Sequence, residues 1–209
     1  MPASASSLFL LFFWLSAQAS PAPAPPLPAP ALAAGTPLPA APLPGARLPG
    51  ARLPGARLPG ARLSGAQLSG AGTLRFLGLR VYEARLWVRP GFAAHAYADQ
   101  PFALELHYAR SFSADAIASR SIDEMRRQQP LTDAQAARWH AALAKAIPSV
   151  QGGDELIGLH TPAGSTRFWH NGVETGQLDD PLLSRLFFGI WLSPQSSEPA
   201  LRAQLLALP

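Results

Sequence analysis

The rhythm of hydrophobic and polar positions changes along the chain, and each change predicts a different kind of segment. From Leu8 to Leu15 the chain reads LFLLFFWL, an apolar run too short to span a bilayer, ending in Ser16-Ala17-Gln18-Ala19. A short apolar run before a small-x-small tripeptide is the pattern of a cleavable export signal, with the cut after Ala19. Residues 1–19 are read as that signal. A proline-, alanine- and leucine-rich stretch then leads into a five-residue unit, LPGAR, which starts at Leu43 and recurs from Leu48, Leu53 and Leu58. It decays into LSGAQ and LSGAG. The proline in each regular unit removes a backbone donor, and so few units cannot stack into a continuous core. Residues 20–69 are therefore expected to be a disordered spacer with polyproline character.

A patterned domain is expected over residues 70–209. Residues 73–89 alternate and are rich in β-formers, with a break at Gly78 and a stop at Pro90-Gly91. In residues 102–109, Phe102, Leu104, Leu106 and Tyr108 share one strand face, and Glu105 and His107 take the other. Ser113 is placed to cap a helix with Ile117, Ile122 and Met125 on its inner side. Thr132 and Gln135 form a capping box for a second helix, whose stripe is Ala136, Trp139, Leu143 and Ile147. A strand near 154–161 and a hairpin with its tip at Asn171-Gly172 follow. Asp180 and Pro181 then open a helix through Trp191, and Ser196 or Ser197 caps a last helix carrying Leu201, Leu205 and Leu208. Strands, two helices, strands and two helices predict an α+β fold: an antiparallel β-sheet with a layer of α-helices on one face.

Composition changes this picture in two places. Of 23 prolines, 14 precede residue 60, and all 13 acidic residues lie at or after Glu83. Four arginines of the repeat (Arg47, Arg52, Arg57, Arg62) account for the net charge of +4, since the remaining 13 basic residues balance the 13 acidic ones. A neutral domain without a basic face argues against nucleic-acid binding. Cysteine is absent, which excludes disulfides, a thiol nucleophile and a lipidated cysteine anchor. No stable membrane anchor is expected once the signal is cleaved.

Candidate chemistry is sparse. The five histidines show no ligand spacing; His160 and His170 could meet across neighbouring strands, but with no third ligand they are read as ordinary surface or core residues. There is no G-x-S-x-G elbow, and Gly70-Ala71-Gly72 lacks the rest of a dinucleotide fingerprint. No metal site and no cofactor are expected.

Several segments do resemble a known family. Gly70-Ala71-Gly72 leading to LRVYEARLW (79–87), LELHY (104–108), Gly153-Asp154, FWHNG (168–172), FFGIWLSP (187–194) and LRAQL (201–205) are similar, in order, to bacterial chalcone isomerase-like proteins of the periplasmic type. The resemblance spans residues 70–207 and implies an open-faced sandwich of sheet and helices in a periplasmic compartment. For the plant enzymes it implies closure of a flavanone ring by attack of a phenolate on an enone, with an arginine and hydroxyl or amide donors around the developing enolate. Here the arginine position falls at Leu74 or Arg75, the tyrosine and asparagine positions near Ser113 and Arg120, and the threonine position near Leu186. No catalytic residue is carried over.

Three readings follow. The favoured one is a non-catalytic exported protein that binds a small apolar, amphipathic or fatty-acid-like ligand between sheet and helices, with Arg75 and Tyr82 as ligand contacts. The others are an isomerase with a rearranged site and a structural or interaction module of the cell envelope.

Overall fold

A computed structural model describes residues 63–208. The expected export signal and most of the repeat lie outside the described residues. Six strands form one antiparallel sheet in simple meander order: β1 (Gln67–Phe76), β2 (Leu79–Val88), β3 (Phe102–Tyr108), β4 (Glu155–His160), β5 (Thr166–His170) and β6 (Val173–Leu178). The helices are α1 (Ala114–Gln128), α2 (Asp133–Ala146), α3 (Pro181–Leu192) and α4 (Pro199–Leu205). The architecture is the expected α+β sheet with its helices on one face.

Local chemistry explains most boundaries. Leu77 and Gly78 turn β1 into β2 with φ of 49° and 80°, and Asn171 and Gly172 turn β5 into β6 with φ of 48° and 81°. Two consecutive residues at positive φ make the two-residue turn whose twist suits a hairpin. The Ser113 hydroxyl accepts from Ala116 N–H, and the Thr132–Gln135 capping box is formed in both directions. Asp180 caps α3 by accepting from the N–H groups of Leu182 and Leu183.

Three features depart from the expected reading. β1 starts at Gln67, before residue 70. A 3-10 segment, Ala94–Asp99, fills the β2–β3 connection and is held by Gln100, whose amide bonds Ala93 and Ala96. The cap of α4 is Glu198 rather than Ser196 or Ser197: Ser196 is spent two positions earlier, where its hydroxyl accepts from Glu198 N–H and donates to the Ile190 carbonyl.

The core sits between the sheet and α3. Strand alternation sends Leu86, Phe102, Leu104, Leu106, Leu156 and Phe168 to the helix side, against Phe187, Phe188 and Trp191. α3 is apolar nearly all round because α1 covers its far side. α4 closes the β1 edge by lying directly on the backbone of Gly70, where any Cβ would collide with the Gln204 and Leu205 carbonyl groups. Gly70→Ala is accordingly expected to push α4 off the sheet and cost about 1–3 kcal/mol. Chemical denaturation of the variant checks this; an unchanged midpoint would show that α4 is not seated on Gly70.

Candidate functional site

The space between sheet and helices, where the resemblance places a ligand, is filled. Phe188 meets Phe102 edge-on at 4.7 Å between ring centroids, Phe187 meets Phe168 edge-on at 5.5 Å, and Trp191 meets Phe187 edge-on at 5.5 Å. The void left among Leu104, Leu156, Gly158 and these rings is about 10 Å³, room for at most one water molecule. At its side Trp191 Nε1 donates to the Tyr82 hydroxyl at 3.0 Å, and Tyr108 lies edge-on to Tyr82. Burial first, and then the neighbouring Tyr108, push the Tyr82 phenol far above the ordinary tyrosine range, so it stays neutral.

The sequence-derived contacts Arg75 and Tyr82 do not converge. Arg75 is exposed at the β1–β2 hairpin, donating to the Gly78 carbonyl at 3.3 Å, whereas Tyr82 is buried beneath Trp191. The positions aligned with the plant donors are also engaged elsewhere. Ser113 caps α1, Leu186 is core, and Arg120 pairs with the buried Glu124 at 2.5 Å.

His160 ends β4 and His170 ends β5, so in the antiparallel pair they stand at opposite ends, facing Thr166 and Leu156 in the register. His170 bonds Asp154 at 2.9 Å; the Asn171 amide, the Gln151 N–H and His170 together draw the Asp154 carboxyl down to about 2. His160 is sealed between Phe102 and Phe188, with Nε2–H donating to the Ala98 carbonyl at 2.8 Å and Nδ1 buried without a partner. Burial holds its pKa below the usual histidine value. The unfolded chain then binds the proton more readily, so this contribution is complete above about pH 6.5 and is lost as pH falls toward the folded pKa. The thermal midpoint of wild type should drop between about pH 7 and pH 5 more steeply than that of His160→Gln, which keeps a donor for Ala98. Parallel profiles would show that His160 is not the group involved.

The sheet face away from the helices carries a polar cluster around a buried carboxylate. Glu105 is only 2% exposed; it accepts from Trp87 Nε1 at 2.6 Å, touches the His107 imidazole, and lies 3.4 Å from Arg85. Arg85 itself is held more tightly by Glu83, at 2.8 Å. Glu155, across from His107 in the register, completes a group of three whose donor atoms fall within 4.8 Å of one another. Burial, then the charge of Glu105, raise the Glu155 carboxyl. That donor set could receive a divalent cation, but Arg85 and Trp87 already satisfy Glu105, and the arrangement is complete as an ion-pair network. Alternation placed Glu105 and His107 together on that face; the cross-strand register that adds Arg85, Trp87 and Glu155 is a tertiary fact.

A groove of about 280 Å³ lies at the other end of β1 and β2. Leu68, Val88, Phe92 and Leu206 supply its apolar lining, and Arg89 stands at its rim, exposed. Sequence reasoning missed it because it is built from a strand end, a 3-10 connection and the tail of α4.

The order of strands and helices and the sheathed sheet define a class that the sequence comparisons support: residues 57–207 match the chalcone isomerase-like family model, and the chain belongs to that family. Among solved structures it is similar to a fatty-acid binding protein of Arabidopsis thaliana, with a TM-score of 0.53 and 12% identity over 68% of this chain and 87% of the other. At that identity the likeness establishes a shared fold. None of the curated proteins matches the chain.

Proposed function

We propose that this chain is an exported, periplasmic, non-catalytic member of the chalcone isomerase-like family that binds a small amphipathic molecule carrying an anionic head. The observation that carries this reading is the groove beside the 3-10 segment, where Leu68, Val88, Phe92 and Leu206 give apolar patches within a mostly polar lining that includes Arg89. Its volume of about 280 Å³ lies at the lower edge of small-molecule pockets, which run from about 300 to 1,000 Å³. The interior is a poorer candidate, because Phe187, Phe188 and Trp191 occupy it and Tyr82 is tied to Trp191. The fatty-acid binding activity of the plant protein of the same fold supports an amphipathic ligand, and the apolar run before Ala19 supports export.

The test is displacement of a fluorescent fatty-acid analogue by dodecanoate, with the full chain. Wild type should bind; Arg89→Ala should weaken binding about two- to fivefold, the scale of one solvent-exposed charge pair. Leu206→Asp, which puts a carboxylate into the groove, should abolish it. Absence of displacement, or binding unchanged in both variants, would overturn the assignment. The non-catalytic part falls if the chain accelerates chalcone cyclisation over buffer.

A further inference from the structure

The two-residue hairpin turns of the sheet, β1–β2 and β5–β6, share one backbone geometry and carry different chemistry. Both have positive φ at two successive positions, which favours Asn-Gly. The β5–β6 turn uses that pair, Asn171-Gly172. The β1–β2 turn places Leu77 at the first position instead, at φ 49° and 75% exposed. A leucine there is strained in the backbone and gains nothing by burial, so folding alone does not account for it.

Its surroundings extend the anomaly. Leu79, the first residue of β2, is 55% exposed, and Arg75 and Arg80 stand opposite each other in the register just behind the tip. In a meander the β1–β2 and β5–β6 turns fall at the same end of the sheet, where β3 hands over to α1. That end therefore also carries Val173, 68% exposed, and Arg110. Among the described residues, none of these three arginines is in an ion pair; Arg75 bonds only the Gly78 carbonyl. The acidic side chains near the β5–β6 turn are engaged: Asp154 by His170 and Asn171, Glu174 by Arg167, and Glu155 faces His107.

We propose that this end of the sheet rests reversibly on an anionic phospholipid surface, with Leu77 and Leu79 inserted among the acyl chains and Arg75 and Arg80 on the phosphates. Apolar tips backed by guanidinium groups match the order of layers met on entering a membrane, acyl region below and phosphates above. The two tips stand at opposite edges of the sheet, and a broad flat surface can meet both at once. This contact is separate from the groove and requires no ligand in it.

The absence of cysteine allows a direct test, because a single Leu79→Cys substitution can carry an environment-sensitive fluorophore on the full chain. Vesicles of phosphatidylcholine with phosphatidylglycerol should shift that emission to the blue, and pure phosphatidylcholine should shift it far less. A label at Leu208→Cys, away from this end, should not respond. Leu77→Asn, which installs the favoured turn residue, should leave the thermal midpoint equal or higher and still weaken vesicle binding at the label about tenfold or more. A silent label at position 79, an equal response in Leu77→Asn, or a shift produced only by an added protein would overturn the proposal.

Discussion

Replacing Phe188 with alanine is expected to destabilise the domain by about 3–5 kcal/mol, the largest effect of any single truncation considered for the core. Phe188 is fully buried and is the one ring of α3 in contact with both the 3-10 side and the middle of the sheet: it meets Phe102, His160 and Phe187, and its edge rests against Gly158. Those partners belong to β3, β4 and α3 itself, so they cannot close the gap without moving the helix off the sheet. The lost transfer free energy and the cavity left behind therefore add. Urea denaturation measures the difference, and Phe188→Leu should cost substantially less. The truncation also has a functional reading. A dry apolar cavity opened beside Gly158 should admit a small apolar probe such as benzene, which wild type excludes. A loss below about 1 kcal/mol would mean that α3 is not anchored through this ring.

Asp180→Ala is expected to cost roughly 2–4 kcal/mol, because two separate functions of one carboxylate disappear together. Oδ1 accepts from the Leu182 and Leu183 N–H groups at the start of α3, and Oδ2 accepts from Trp139 Nε1 at 2.8 Å. Trp139 is 1% exposed, so its N–H has no water to turn to once the carboxylate is gone. The cap alone is worth about 0.5–2 kcal/mol and an unsatisfied buried donor about 1–3. Asp180→Asn keeps an acceptor for only one of these duties and should fall between. A loss below about 0.5 kcal/mol in Asp180→Ala would show that neither the cap nor the bond to Trp139 contributes.

Sequence reasoning anticipated Asp180 as a cap because capping is a local event: the side chain reaches amides two and three residues ahead. The same holds for Ser113 and for Thr132 with Gln135. It did not anticipate the bond from Asp180 to Trp139, since that partner lies on another helix. Ser196 illustrates the limit from the other side. It has the chemistry of a cap and stands near a helix start, yet it lies two positions before the cap residue Glu198, and the turn before α4 engages its hydroxyl at Ile190 and Glu198.

The candidate sites divide along the same line. Alternation within β3 put Glu105 and His107 on one face, while Arg85 and Trp87 reached Glu105 only through the antiparallel register of β2 with β3. Arg75 and Tyr82 are seven residues apart on one hairpin; Gly78 marks the break between them, but no pattern in the chain reveals that the guanidinium is exposed and the phenol buried beneath α3. The groove has no sequence signal at all, because its walls come from three segments that are ordinary in isolation.

Periodicity, caps and turn residues, which act over a few positions, were enough to determine the α+β class, the strand and helix order and most boundaries. Whether the sheet and helices enclose a cavity was decided only in three dimensions. That outcome depends on how Phe187, Phe188 and Trp191 interdigitate with the residues of four different strands, and packing of that kind is set by long-range complementarity that no local pattern encodes.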